Sequence, residues 1–166
     1  MILATASPDG KPSARVVLLK KFGPAGFTFF TNYNSHKGRE LAANPAAALC
    51  FYWPWINIQV RIEGDVTKTS AEESDAYFHG RARTSQCGAV ASLQSQPLQD
   101  RETLVKKTQA VDEQYKELEI PRPENWGGFQ LKPNLIEFWH DGEFRLHDRF
   151  EYRLVNNHWT IQRLYP

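Results

Sequence analysis

Long apolar runs are missing from this chain. None is long enough to span a bilayer, and the start carries no signal-peptide pattern, so no membrane association is expected. Cysteine is scarce: Cys50 and Cys87 stand in apolar or small-residue surroundings without metal-ligand spacing. That points away from a disulfide framework or a metal site, and toward buried free thiols in a reducing, cytoplasmic compartment. A dominant charge is missing too. The net charge is +1, which offers no global field to nucleic acid or an acidic membrane, so any anion site must be local. Internal repeats and low-complexity segments are also lacking.

What is present is a chain of 166 residues, enough for a single domain with a real core, in which aromatics make up 13% and tryptophan occurs five times. That richness suits a flat-ringed ligand or a barrel core equally. Strands dominate the expected elements. Ile2 to Ala6 and Ser13 to Phe22 flank the turn signal Pro8-Asp9-Gly10, and Gly23-Pro24-Ala25-Gly26 turns into Phe27 to Asn32. Ser35 is placed to cap a short helix from His36 to Ala43, which Asn44-Pro45 ends. Ala46 to Trp53 and Asn57 to Thr69 read as two more strands.

Ser70-Ala71-Glu72-Glu73 has capping-box spacing and predicts a helix through about Arg81, with another short helix starting at Thr84 or Ser85. Asp100 to Leu118 has the longest helical periodicity, with Leu104, Thr108, Val111, Tyr115 and Leu118 on one stripe. Ile120-Pro121-Arg122-Pro123 is a stiff linker, and strands resume from Gly127. The fold class expected is mainly β with inserted helices, as a closed or split antiparallel barrel. No strand, glycine loop and helix unit of a doubly wound sheet appears.

Chemistry concentrates near the C-terminus, in Ile136-Glu137-Phe138-Trp139-His140 and Arg145-Leu146-His147-Asp148-Arg149. Asp141-Gly142 predicts a tight turn between them. If Arg145 opens the second strand, alternation places Arg145, His147 and Arg149 on one face. Such a face is either the polar outside of a barrel strand or, because its cations repel one another, the seat of an anionic ligand.

This segment, with its tryptophan-to-arginine spacing, and the end Arg163-Leu164-Tyr165-Pro166 resemble the C-terminal signature of pyridoxine (pyridoxamine) 5′-phosphate oxidases. The resemblance runs from about Ala4 to Pro166. It implies a single split-barrel domain over residues 1–166 that binds flavin mononucleotide (FMN), with a signature hairpin at about 134–166. It also implies a homodimer with FMN at the interface. The implied reaction oxidises pyridoxine or pyridoxamine 5′-phosphate to pyridoxal 5′-phosphate, with dioxygen as electron acceptor.

Residue by residue, the resemblance gives FMN to Arg15, Val16, Val17, Leu18, Phe30, Thr31, His36, Lys37, Gln59, Gln94, Ser95, Trp139 and Arg149. It gives the substrate phosphate to Lys20, Tyr77, Arg81 and Ser85, and the substrate ring to Arg145 and His147 as the catalytic pair. The strand reading adds that Arg15 and Lys20 lie on opposite faces, so one strand can serve two ligands. Tyr77 and Arg81, four apart, would share one face of a helix.

Four departures stand out. His36 replaces the family's arginine, so a permanently charged fork becomes an imidazole. Ile58 replaces an arginine beside Gln59, while Gly80 and Ala82 replace a serine and a proline. Family members carry a segment ahead of the first strand that helps cover the active site, whereas Met1 here stands almost directly on that strand, as in a trimmed or naturally short chain. His36 and Ile58 keep one alternative open, a non-catalytic protein that binds flavin or pyridoxal phosphate; the several chemistries such a scaffold hosts keep another, a related flavin oxidase with another substrate.

Overall fold

The Pro8-Asp9-Gly10 signal closes the first hairpin. In the computed structural model, which describes residues 1–166, β1 (Ile2–Ala6) pairs antiparallel with β2 (Pro12–Val16) from Ile2↔Val16 to Ala6↔Pro12. Between them Ser7 N–H donates to Lys11 O, and Gly10 takes the left-handed conformation at φ 82°. After β2 come β3 (Lys21–Gly23), β4 (Gly26–Asn32), helix α1 (His36–Ala43), β5 (Ala46–Trp53) and β6 (Ile58–Lys68). Helices α2 (Ala71–His79), α3 (Arg83–Ala91) and α4 (Arg101–Gln114) follow, then β7 (Trp126–His140), β8 (Asp148–Val155) and β9 (His158–Leu164). The strand order is β2-β1-β5-β6-β7-β4-β3, with β8 pairing β7 and β9. No helix is long and apolar enough to cross a membrane.

Two compact units emerge. The first comprises Met1–Phe29, Glu40–Thr67 and Gln130–Pro166, the second Phe30–Arg39 and Lys68–Phe129. In the first, Leu3 lies opposite Leu49 and Leu49 opposite Ile62, so three strands send one row of side chains inward. All three are at most 1% exposed. Each such side chain contributes about 1.5–3 kcal/mol by leaving water. In the second unit, Phe78, Cys87, Ile120 and Trp126 form the core, with Phe30, Tyr77, Val111 and Tyr115 packed against it.

Several boundaries differ from expectation. The strand expected over Ser13 to Phe22 is broken. β2 ends at Val16, residues 17–20 are irregular, and β3 begins at Lys21. The cause is a change of partner. Val17 N–H donates to Met1 O on one side of the break, whereas Lys20 N–H donates to Thr28 O on the other. The exposed and half-buried alternation nevertheless continues from Pro12 to Lys20, so Arg15 and Lys20 keep opposite parity.

Ser70 caps α2 as its spacing predicts, accepting Glu73 N–H at 3.1 Å. The helix stops at His79 instead of about Arg81, because Gly80 forms its C-cap and Ala82 is already extended. Arg81 therefore does not share a helix face with Tyr77. The long helix also ends early, at Gln114, and Glu117 turns the chain at φ 62°. Leu118 consequently falls off the stripe and is exposed, while Leu104, Thr108, Val111 and Tyr115 remain half-buried.

Candidate active site

In the second unit, the short loop from β4 into α1 gathers three of the residues predicted for FMN. Ser35 starts α1 by accepting Gly38 N–H at 3.2 Å. The buried Lys37 ammonium donates to Thr31 Oγ1 at 3.2 Å and Ser35 Oγ at 3.4 Å, and Thr31 donates to Gln94 Oε1 at 3.1 Å. A cation enclosed by hydroxyls and an amide is a donor set suited to an anion. Ser95, next to Gln94, is exposed and left-handed at φ 71°. Both border a cavity of about 200 Å³ whose wall also includes Leu98, Leu104 and Lys107. His36 lies on the exposed side of the helix start, away from the buried face that carries Lys37.

The same unit carries an aromatic stack. Phe30 and Tyr77 lie with centroids 3.9 Å apart and planes at 16°, and Trp126 continues the stack 5.8 Å from Phe30. The Arg81 guanidinium sits 4.6 Å from the centroid of Trp126. Its Nη1 is buried without a hydrogen-bond partner, and burial pulls its pKa below the usual arginine value. A buried guanidinium nitrogen without an acceptor in its own chain is a donor suited to an anion. Ser85 lies exposed in the first turn of α3.

In the first unit, Arg15 is held by its own fold. Its Nη1 donates to Thr5 Oγ1 at 2.5 Å and Leu3 O at 3.3 Å, while Nη2 reaches Ser13 Oγ and lies 3.4 Å from Glu40. Val16 and Leu18 are exposed, Val17 is half-buried, and Lys20 is exposed. Gln59 is half-buried opposite Tyr52 on the β5–β6 pair, and Ile58 faces Trp53 there.

The C-terminal hairpin corrects the expected alternation. Pairing runs to Trp139↔Arg149 and His140↔Asp148, so residues 141–147 form a loop and no tight turn forms at Asp141-Gly142. Asp141 N–H donates to Asn57 O at 3.0 Å, which carries the chain straight on past the end of β7. Arg145 therefore lies in the loop, in a 3-10 turn at Glu143–Arg145, and not on a strand. His147 lies in the same loop, so of the three only Arg149 stands on a strand. Phe144 and Arg145 are both left-handed, at φ 56° and 64°, and both are exposed.

His147 Nδ1 accepts Gly142 N–H at 3.2 Å and lies 3.0 Å from Asp141, and its ring tilts against Trp139 at 4.8 Å. That leaves Nε2 as the outward nitrogen. The repulsion expected on this face is met within the protein for Arg149. Asp141 accompanies His147, and buried Glu137 accepts Arg149 Nε at 2.8 Å, which raises the arginine's pKa. Arg145 has no carboxylate partner.

Sequence reasoning missed Glu40, Trp126, Glu137 and Asp141. Glu137 was accessible, since alternation puts it on the same face of β7 as Trp139, and cross-strand pairing adds Arg149. Trp126 and Glu40 were not, because their contacts join distant stretches of sequence.

Residues 1–115 match the family described as pyridoxamine 5′-phosphate oxidase, and residues 126–166 match the pyridoxine 5′-phosphate oxidase C-terminal dimerisation region. The chain is 54% identical over 166 residues to the pyridoxine/pyridoxamine 5′-phosphate oxidase of Myxococcus xanthus (strain DK1622), covering 100% of this chain and 81% of that protein. Identity is 53% over 166 residues to the enzyme of the same description from Gluconobacter oxydans (strain 621H), with 100% and 83% covered. Among solved structures, PhzG from Burkholderia lata 383 in complex with tetrahydrophenazine-1-carboxylic acid superposes with a TM-score of 0.94 at 33% identity, covering 99% of this chain and 81% of that one. A pyridoxamine 5′-phosphate oxidase-related, FMN binding protein from Nostoc punctiforme PCC 73102 shares the fold, with a TM-score of 0.78 at 19% identity and coverage of 99% and 87%.

Proposed function

The chain belongs to the pyridoxine/pyridoxamine 5′-phosphate oxidase family, and from that premise we propose how its residues divide the work. It is an oxidase of pyridoxine 5′-phosphate and pyridoxamine 5′-phosphate. The product is pyridoxal 5′-phosphate, and all 166 residues act as one FMN-binding split-barrel domain in a homodimer. Its two free thiols suit the cytoplasm.

The observation that carries the substrate reading is Arg81, whose buried Nη1 lacks an acceptor beside the Phe30, Tyr77 and Trp126 stack. A phosphate ester supplies the missing acceptor, and the aromatic wall excludes water from it. Tyr77, Ser85 and Lys20 add a phenol, a hydroxyl and an ammonium to the same task. The retention of this whole set favours a phosphorylated substrate over the unphosphorylated aromatics of other flavin oxidases.

The residues also fit FMN. Lys37, buried among hydroxyls with Thr31 and Gln94, has the chemistry of a phosphate and polyol seat. Phe30, Ser95, Arg15, Val16, Val17, Leu18, Gln59, Trp139 and Arg149 complete the proposed set. His36 is the weakest member, because it stands on the exposed side of its helix. Bound FMN supplies the two-electron acceptor for a hydride from the substrate's C4′ carbon, and dioxygen restores it. Arg145 and His147 cover the substrate ring, with the outward Nε2 of His147 free to hold a proton at the substrate's C4′ substituent.

The test is an absorption spectrum of the purified protein, followed by anaerobic addition of pyridoxine 5′-phosphate. The expected result is a flavin band that bleaches and returns with air. A yellow protein that does not bleach would overturn the substrate assignment, and a protein that takes up no FMN would overturn the cofactor.

A further inference from the structure

Glu137 lies in the interior of β7 and is 3% exposed, a burial that a carboxylate tolerates only with partners. Its Oε1 accepts Arg149 Nε at 2.8 Å. Its Oε2 lies 3.1 Å from Arg61 Nη2, an ion pair without hydrogen-bond alignment. Directly across the ladder stands a second buried carboxylate, Glu151, with partners of its own: Arg153 at 3.0 Å and Gln162 at 2.9 Å. Arg61 also reaches Glu63 at 3.3 Å. Arg61, Arg149 and Arg153 are thus matched by Glu63, Glu137 and Glu151.

A cluster balanced in this way has no surplus charge with which to attract a ligand. What it fixes is direction. Arg149 spends Nε on Glu137 and Nη1 on Tyr165 O at 2.9 Å. Two bonds hold a planar guanidinium rigidly and leave Nη2 as its uncommitted corner.

We infer that Glu137 is a positioning residue for the cofactor: it clamps Arg149 so that Nη2 presents one donor in a fixed direction to FMN. The inference rests on the proposed assignment of Arg149 to FMN. Glu137→Gln keeps the volume but replaces a carboxylate whose two oxygens each face an arginine by an amide whose NH2 must oppose one of them.

The test follows flavin fluorescence as FMN leaves the full-chain holoenzyme on dilution, for Glu137→Gln, Arg149→Lys and the double variant, with thermal midpoints alongside. Glu137→Gln is expected to weaken FMN binding about tenfold or more, the size of one lost charge-assisted bond. In the Arg149→Lys background the same change should have little further effect, because its route to FMN is already gone.

Unchanged FMN affinity in Glu137→Gln, or losses that simply add in the double variant, would overturn the inference and leave Glu137 as a purely structural ion pair. Unchanged affinity in Arg149→Lys would instead overturn the assignment of Arg149. If Glu137→Gln does not fold, Glu137→Asp carries the same cycle. Aspartate keeps the charge but is one methylene too short to span both arginines, and the same two outcomes decide.

Discussion

The Arg81 guanidinium lies 4.6 Å from the centroid of Trp126, with its Nη1 buried and unsatisfied. Replacement by methionine keeps apolar contact with the indole while removing the charge. Arg81→Met is expected to raise the KM for pyridoxine 5′-phosphate about 10- to 100-fold, from the 1.5–3 kcal/mol of a hydrogen bond to a charged group. The thermal midpoint should hold or rise, since a desolvated cation leaves the fold. Steady-state kinetics and a melting curve on the same preparation check both.

Arg145 stands in the left-handed region beside an equally left-handed Phe144. Glycine accepts that conformation without a steric cost of roughly 1 kcal/mol or more. Arg145→Gly should therefore lower turnover while leaving flavin content unchanged and stability equal or higher. Loss of flavin in this variant would contradict the assignment of Arg145 to the substrate ring.

Glu151 sits opposite Glu137 with its pKa lowered, first by its hydrogen bond from Arg153 and then by that from Gln162. A carboxylate whose folded pKa is depressed contributes stability that is complete above the ordinary value of 4.5 and disappears as pH falls through the folded value. The native protein should lose melting temperature on acidification below that point. Glu151→Gln should melt lower at neutral pH and lose less on acidification. Melting curves from pH 7 to pH 3 test the sign.

Gly64 supports β6 where the chain crosses close to β7. A Cβ there would come within 2.1 Å of Lys132 O and 2.8 Å of Lys132 C. Backbone cannot swing aside as a flexible side chain does, so Gly64→Ala should destabilise by about 1–3 kcal/mol or more. Chemical denaturation measures this directly.

Much of the fold was legible from local chemistry. Ser35 and Ser70 announced helices that the structure caps with those same side chains. The Pro8-Asp9-Gly10 turn fell where expected. What local chemistry could not give was a change of partner. Nothing in Arg15-Val16-Val17-Leu18-Leu19-Lys20 says that its first half bonds to β1 and its last residue to β4. Asp141-Gly142 likewise reads as a tight turn until Asn57 O, distant in sequence, takes the Asp141 N–H.

The candidate site divides the same way. Thr31, Lys37 and Gln94 were named from the resemblance, and the structure brings them into one hydrogen-bonded group. Arg145, His147 and Arg149 were placed on one strand face, whereas the loop takes both Arg145 and His147 and only Arg149 stands on β8. The carboxylates beside His147 and Arg149, Asp141 and Glu137, are close in sequence, but a local pattern does not say which basic group each will meet.

The break at residues 17–20 has a bearing on how such proteins change over generations. Arg15 is pinned to the β1 side of the break by Leu3 O and Thr5, whereas the backbone of Lys20 is pinned to Thr28 on the other side. The spacing between a proposed cofactor arginine and a proposed substrate lysine thus rests on a few residues that belong to neither ladder. An insertion or a bulkier side chain at Leu19 can alter that spacing without unpairing a strand. Inheritance can therefore adjust substrate reach at this junction while the cofactor seat stays as it was.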